Sequence, residues 1–150
     1  MDVRTLMRPD PLTLSVTDSL DIADDLMRLG RIRHLPVVDG TRLVGIVTQR
    51  DLLRAAVSSL LETDRATERA WLRSIRVITV MTSRVYTIPP WVPLQTAIEI
   101  MLDQKIGCLP VVDDGKLVGL LTETDCLRQL RTLLQMGDTR QALPELAPVG

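Results

Sequence analysis

The sequence predicts a mixed α/β (α+β) fold made of two copies of one structural unit. One motif occurs twice, as LPVVDGTRLVGIVTQRD from Leu35 to Asp51 and as LPVVDDGKLVGLLTETD from Leu109 to Asp125. A constant offset of 74 residues, without a gap, aligns the two halves well beyond this motif. Signals for strands and helices also alternate in the same order in each half. A repeat of this length indicates a whole structural unit.

The first two elements of each copy are predicted to be a short strand and a helix. In the first copy, PLTLSV at 11–16 predicts an extended segment. Asp18 and Ser19 predict the helix start, where the Asp18 carboxylate can accept from free backbone N–H groups. Pro93 replaces Ser19 in the second copy, and proline is favoured at the first helical position. Apolar residues then recur at helical spacing, and Gly30 is expected to end the helix.

A hairpin and a second helix follow in each copy. The dipeptide Asp-Gly at 39–40 separates two β-branched runs, which is a strong hairpin signal. Thr48 with Asp51, and Thr122 with Asp125, resemble capping boxes that have Asp in place of the more usual Glu or Gln. Each half is therefore predicted to run strand, helix, strand, strand, helix.

The repeats set the expected domain limits. We predict repeat 1 at 1–56, a helical linker at 57–76, repeat 2 at 77–136 and a flexible C-terminal tail at 137–150. Asp64 is a candidate for restarting a helix within the linker.

A basic stripe is expected on the linker helix. Arg65, Arg69 and Arg73 fall four residues apart and therefore share one helical face. Such a stripe is usually a solvated surface, and a surface for a partner protein is the alternative.

Composition excludes several classes of function. The net charge is −1 and the pI is about 5.8, so no broad positive field exists to hold nucleic acid or anionic lipid. No apolar run has the length of a signal-peptide core or of a membrane span. Cys108 and Cys126 lack the spacing of a disulfide framework, which fits a reducing compartment. A cytoplasmic protein that contacts neither nucleic acid nor membrane is expected.

Few residues could support catalysis. His34 is the one histidine, and neither a P-loop nor a G-x-G-x-x-G sequence occurs. Cys126 follows a predicted helix start, where a thiol pKa can be lowered, but a small packing residue is the alternative. We therefore expect no enzyme, no metal site and no required cofactor.

The two motifs could bind an anion beside a diol. A hydroxyl at a helix start lies next to free N–H groups of the positive helix end, so Thr48 and Thr122 suit an anion. Asp51 and Asp125 could accept from a vicinal diol, and the combination suits a nucleotide. The alternative is that these residues only cap helices, and that the motif glycines only allow close strand packing.

The ordered set of motifs resembles the tandem CBS domains, named for cystathionine β-synthase. The set comprises LPVVD, G-h-h-T-x-x-D (h apolar) and a V-x-x-x-M lead-in at Val3–Met7 and Val77–Met81, and it covers about 3–130. The resemblance implies two CBS β-α-β-β-α repeats packed through their sheets as a pseudo-twofold pair with two clefts. It also implies a disc-shaped homodimer that binds adenosine-containing ligands and regulates an attached or separate protein.

The resemblance assigns residues to each cleft. The motif threonine would hold the phosphate, the motif aspartate the ribose hydroxyls, and apolar residues would frame the adenine. One cleft is assigned Ile46, Thr48, Asp51, Thr87, Ile106 and Gly107. The other is assigned Thr13, Ile32, Arg33, Leu120, Thr122 and Asp125.

The resemblance also implies that the two clefts differ. The residue before LPVV can reach the phosphates beside the motif of its own repeat, and it is His34 in one copy but Cys108 in the other. Arg33 and Arg50 correspond to Gly107 and Thr124. We expect the Thr48 cleft to tolerate more phosphate charge, and His34 to make it sensitive to pH near neutrality. A strand histidine with a backbone partner is the alternative.

The predicted function is a stand-alone CBS-domain pair that senses AMP, ADP or ATP and acts by binding alone. Such a ligand changes the arrangement of the repeats only if it binds one arrangement better. The alternatives are a ligand-free module for dimerisation or protein interaction, and a sensor of S-adenosylmethionine.

Overall fold

The computed structural model describes residues 1–57 and 64–137. Residues 58–63 of the predicted linker and 138–150 of the predicted tail lie outside the described residues. The mixed α/β prediction is confirmed, because helices surround two three-stranded sheets. The first half contains a 3-10 helix (Val3–Thr5), β1 (Arg8–Pro9), β2 (Leu14–Ser15), α1 (Leu20–Gly30), β3 (His34–Asp39), β4 (Arg42–Thr48) and α2 (Gln49–Val57).

The second half repeats the helices and the hairpin after a connecting helix. Single bridges at Thr82 and Ile88 replace β1 and β2, so the predicted first strand of the second copy is reduced to the bridge at Ile88. It contains α3 (Arg65–Arg73), α4 (Val77–Val80), α5 (Leu94–Gln104), β5 (Cys108–Asp113), β6 (Lys116–Thr122) and α6 (Glu123–Gly137). Asp64 begins α3, since its side chain accepts from the Thr67 backbone N–H at 2.9 Å. The predicted helix restart at Asp64 is therefore confirmed.

The two predicted hairpins are present and have the same register. β3 pairs antiparallel with β4, and β5 with β6, with an irregularity after Val37 and after Val111. Gly40 and Gly115 have positive φ values of 65° and 75° in the hairpin turns, a conformation that suits glycine. Strands β4 and β6 contact one another, and a small apolar cluster joins the halves there: Ile46, Cys108 and Leu120.

The lead-in segment of each half packs into the core of the other half. Val3 is fully buried with Val111 and Leu121 of the second half, whereas Val77 is fully buried with Val37 and Val47 of the first. β1 likewise belongs to the sheet of β5 and β6, in the order β1-β6-β5. The exchange crosses the predicted limits at 1–56 and 77–136, which remain a prediction.

The exchange is reciprocal, and its hydrogen bonds follow the 74-residue offset. The Val3 N–H donates to the Val92 carbonyl at 2.9 Å, and the Val77 N–H donates to the Asp18 carbonyl at 3.0 Å. Ile46 forms a β-bridge with Thr82, and the equivalent pair 74 residues apart is Leu120 of β6 with Arg8 of β1. The two halves therefore form a pseudo-twofold pair.

The motif glycines lie where the exchanged segments come closest. A Cβ atom on Gly45 would lie 2.5 Å from Met81 Sδ and 2.9 Å from the Thr82 carbonyl oxygen. On Gly119 it would lie 2.5 Å from Met7 Sδ. Close strand packing thus accounts for both glycines.

Two predictions about helix α1 and its counterpart were wrong in detail, and one was confirmed. The Asp18 carboxylate accepts from the Ser15 N–H at 2.7 Å and therefore supports the preceding turn, not the helix. Pro93 lies at the N-cap of α5, one residue before the first helical position. Helix α1 ends at Gly30, as predicted, and the left-handed residue after it is Arg31, with φ 50°.

The basic stripe on α3 binds the acidic face of α1. Arg69 forms a two-bond ion pair with Asp25 at 2.5 and 3.1 Å, which lowers the pKa of that carboxyl. Arg73 Nε donates to buried Asp21 at 3.3 Å, and the Ser19 hydroxyl also donates to Asp21. The pKa of Asp21 lies below its usual value, mainly because of the hydrogen bond from Ser19 and also because of the one from Arg73. The stripe is therefore neither a purely solvated face nor a free partner surface.

Candidate functional site

Each motif threonine and aspartate forms a reciprocal cap at a helix start. Asp51 Oδ2 accepts from the Thr48 N–H at 2.8 Å and from its hydroxyl at 3.0 Å, and the Asp51 N–H donates to Thr48 Oγ1 at 3.3 Å. Thr122 and Asp125 repeat this arrangement at 3.0, 2.7 and 3.3 Å. The capping-box prediction is confirmed at α2 and α6.

Two cavities lie beside these helix starts, and residues of both halves line each of them. The cavity beside Thr48, here the first cleft, has a volume of about 860 Å³. The cavity beside Thr122, here the second cleft, has a volume of about 500 Å³. Both volumes fall in the range of small-molecule sites.

Most residues predicted for the first cleft line it. Asp51 and Thr87 are the exceptions, because Asp51 is half-buried behind Thr48 and the exposed Thr87 lies outside the lining. The predicted residues that do line it are His34, Ile46, Thr48, Arg50, Ile106 and Gly107.

The second cleft contains fewer of its predicted residues. Ile32, Arg33, Leu120 and Thr122 line it, whereas Thr13 and Asp125 do not. Cys108 was expected beside Thr122 but lines the first cleft, because its side chain is buried against Ile46 between the sheets.

A common wall separates the two clefts. Arg33, His34, Gly107 and Glu123 line both of them, so Arg33 does not distinguish the first cleft from the second. A Cβ atom on Gly107 would lie 3.3 Å from His34 Nε2 and 3.4 Å from Glu123 Oε1. The His34 ring therefore packs against Gly107, close to the Glu123 carboxylate.

The surroundings of His34 favour its neutral form. Burial lowers its pKa from the usual 6.5, the Arg33 charge lowers it further, and the Glu123 charge only partly opposes them. The predicted sensitivity of ligand binding to pH near neutrality stays a prediction.

The prediction missed several residues of the first cleft. Tyr86 contributes a half-exposed ring, and its hydroxyl donates to Gln104 Oε1 at 2.8 Å. Arg84 and Lys105 add two cations. The repeat offset gives a signal for Tyr86, since it directly precedes Thr87 and corresponds to Leu12.

The prediction also missed Arg8 in the second cleft. Arg8 Nε donates to Asp125 Oδ1 at 3.0 Å, and Arg128 Nη1 lies 3.5 Å from the same oxygen. The Asp125 side chain is only 6% exposed, whereas the Arg8 side chain is 45% exposed. The ribose acceptor assigned to this cleft is thus covered by an ion pair.

Neither thiol is activated. Burial first, and then the Glu123 charge, raise the pKa of Cys108 to about 12. Burial also raises the pKa of Cys126, with a further contribution from Asp125, which favours the packing role over a reactive thiol.

Within 1–57 and 64–137, no three residues among His, Cys, Asp and Glu are grouped to hold a metal ion. No helix in the same ranges is long and apolar enough to cross a membrane.

The fold and its clefts define a pair of repeated α/β modules that form two small-molecule cavities between them. The family model for the CBS domain matches twice, at residues 3–58 and 77–132. The chain belongs to the CBS domain family, as the motifs predicted.

Two relatives illustrate how this module occurs. A CBS domain-containing protein of Dictyostelium discoideum is 33% identical over 135 residues, which cover 89% of this chain and 93% of the relative. Inosine-5′-monophosphate dehydrogenase of Korarchaeum cryptofilum is 40% identical over 117 residues, 77% of this chain. The match spans only 21% of that enzyme.

Solved structures of similar chains match along almost their whole length. AcuB of Vibrio cholerae has a TM-score of 0.78 and 36% identity, and the match covers 91% of this chain and 95% of that one. The CBS domain pair of MJ0100, in complex with 5′-methylthioadenosine and S-adenosyl-L-methionine, has a TM-score of 0.75 and 26% identity. That match covers 89% of this chain and 98% of the other. CBSX2 in complex with AMP has a TM-score of 0.74 and 28% identity, and the match covers 88% of this chain and 97% of the other.

Proposed function

We propose that this protein is a regulatory module that binds an adenosine nucleotide of the AMP, ADP or ATP class, primarily in the first cleft. It acts by binding and has no catalytic step of its own. Two structural relatives support this proposal, since one is in complex with AMP and the other with two further adenosine compounds.

The observation that carries the proposal is the make-up of the first cleft. Its described lining combines the Tyr86 ring, the apolar side chains of Ile46 and Ile106, and the hydroxyl of Thr48 at a helix start. The ring and the apolar side chains suit a base, and a positive helix end suits a phosphate. Four basic residues line the same cavity against one acid, Glu123: Arg33, Arg50, Arg84 and Lys105.

The second cleft is less positive. Its described lining has four basic residues and two acids, and these are Arg8, Arg31, Arg33, Arg128, Asp10 and Glu123. This difference supports the expectation that the first cleft tolerates more phosphate charge. It also favours the first cleft for ADP and ATP.

A thermal-unfolding screen tests the proposal. The chain is heated with AMP, ADP, ATP, S-adenosylmethionine and a guanine nucleotide, and a ligand at a hundred times its Kd adds about 2.7 kcal/mol of stability. We expect a shift with adenine nucleotides that is lost in Asp51→Ala. The absence of a shift with every adenosine compound would refute the proposal.

Asp64→Ala is the matched control for Asp51→Ala. Asp64 caps α3 through Thr67, which lies outside the described lining of both clefts, whereas Thr48, the partner of Asp51, lines the first cleft. Each substitution removes one helix cap and should cost about 1 kcal/mol without ligand. Only Asp51→Ala should also lose the ligand shift, and an equal loss in both variants would exclude a ligand role for Asp51.

A second candidate is a ligand-free module for dimerisation. The caps favour it, because Asp51 and Asp125 already serve the helix starts without a ligand. Exposed leucines on one face of α6 favour it too: Leu127, Leu130 and Leu134. A homodimer through this face belongs to both proposals. Sedimentation of Leu130→Glu tests it, and an unchanged mass would exclude this face.

The cellular setting completes the proposal. The regulated protein is a separate or attached partner that recognises the ligand-bound arrangement of the repeats, and the cytoplasm is the proposed location. If S-adenosylmethionine alone stabilised the chain, the sensor would belong to the other ligand class.

A further inference from the structure

The two motif aspartates differ in what contacts their outer oxygen. In each cap, Oδ2 accepts from the threonine, so Oδ1 is the oxygen left for a ligand hydroxyl. Asp125 Oδ1 accepts from Arg8 at 3.0 Å. Among residues 1–57 and 64–137, no cation forms an ion pair with the half-buried Asp51. Among the described residues, Asp51 beside the first cleft therefore keeps its outer oxygen without a basic partner, whereas Asp125 beside the second cleft does not.

The difference arises from the residue that each exchanged lead-in places opposite the motif strand. The backbone of Arg8 is paired with Leu120, and the corresponding residue opposite Ile46 is Thr82. The Thr82 N–H donates to the Ile46 carbonyl at 2.9 Å, so the backbone arrangement is the same. The short Thr82 side chain carries no charge to Asp51, whereas the guanidinium of Arg8 extends to Asp125.

A ribose diol must compete with Arg8, and with Arg128 beside it, for Asp125 Oδ1. Hydrogen bonds from a guanidinium to a carboxylate are stronger than those from neutral hydroxyls, so the exchange of one for the other is unfavourable. Arg8 lines the second cleft without filling it, so the cavity remains while Arg8 occupies the Asp125 oxygen.

We propose that Arg8 closes the second cleft to ribose, and so makes the protein bind a nucleotide at one strong site and one weak site. This inference rests on the proposed function. The second cleft keeps its basic lining and binds the phosphate of a nucleotide without recognising the diol.

Calorimetric titration with AMP and with 2′-deoxy-AMP tests the role of Arg8, because the second compound lacks one hydroxyl of the diol. For the wild-type chain we expect one strong site that prefers AMP and a weak site with no preference. Arg8→Ala should tighten the weak site for AMP about tenfold, and create a preference for AMP over 2′-deoxy-AMP there. Arg4→Ala, which removes an exposed arginine from the same segment, should change neither.

The reciprocal substitution keeps the test decisive if Arg8→Ala folds poorly. Thr82→Arg places a guanidinium opposite Asp51 and should abolish the preference for AMP at the strong site. Two equal sites in the wild-type chain, or an unchanged preference in both variants, would overturn the inference and leave the proposed function intact. No heat of binding in any variant would instead reject the proposed function, and the inference with it.

Discussion

Replacing Val3 with alanine is expected to destabilise the second half of the protein, although Val3 belongs to the first half of the sequence. The side chain is fully buried in a cluster with Val111 and Leu121. Alanine removes two methyl groups, worth about 1.6 kcal/mol at ~0.8 kcal/mol each. With the cavity left behind, the loss of unfolding free energy should be about 2 kcal/mol.

Urea unfolding measures the loss, and amide hydrogen exchange locates it. Val3→Ala should weaken protection in β5 and β6, whereas Val77→Ala should weaken it in β3 and β4. Ile78→Ala is the control, because Ile78 is 42% exposed on the same short helix as Val77 and should change stability by less than about 0.5 kcal/mol. A loss that small for Val3→Ala, or weaker protection in β3 and β4 instead, would refute the reasoning.

Three more predictions follow from the glycine contacts and the buried titratable groups. Gly45→Ala should lower the free energy of unfolding by about 1–3 kcal/mol, since its Cβ would overlap Met81 Sδ and the Thr82 carbonyl oxygen. Gly137→Ala is the control and should be close to neutral, because no atom lies within 4 Å of the added Cβ. Equal urea midpoints for the two variants would contradict the overlap at Gly45. Because the pKa of His34 is lowered in the fold, the unfolded chain binds more protons as the pH falls below about 6.5, so stability should fall there and fall less in His34→Gln. An identical slope in both chains would exclude this. Cys108, with a pKa of about 12, should react with a thiol reagent at pH 8 only as fast as the fold opens, and rapid reaction of the native chain would contradict its burial.

Local signals predicted the elements well, because they depend on short-range physics. The Asp-Gly hairpin, the Thr48 and Thr122 caps and the start at Asp64 each involve residues within a few positions of one another. Asp18 shows the limit of this reasoning. Its carboxylate lies within reach of both the Ser15 turn and the helix start, and the sequence cannot tell which backbone N–H groups will remain free.

The lead-in exchange could not be predicted, because the two cores are chemically alike. Val3 meets valine and leucine in either core, so hydrophobic pattern alone does not decide between them. For the same reason, the contact between Arg8 and Asp125 could not be predicted. In an arrangement without exchange Arg8 would lie beside Asp51, and only the observed pairing with Leu120 brings it to Asp125. The basic stripe on α3 is similar, since its partners on α1 lie more than 40 residues away.

The exchanged lead-ins also order the events of protein synthesis. As the chain leaves the ribosome, the first half emerges with its hairpin and both helices but without Val77, which fills its core. Folding of that half must therefore wait until the connecting helix has been made. The second half never waits in this way, because Val3 is already present when β5 and β6 appear. We therefore expect a nascent chain that stops before Val77 to expose apolar surface to chaperones.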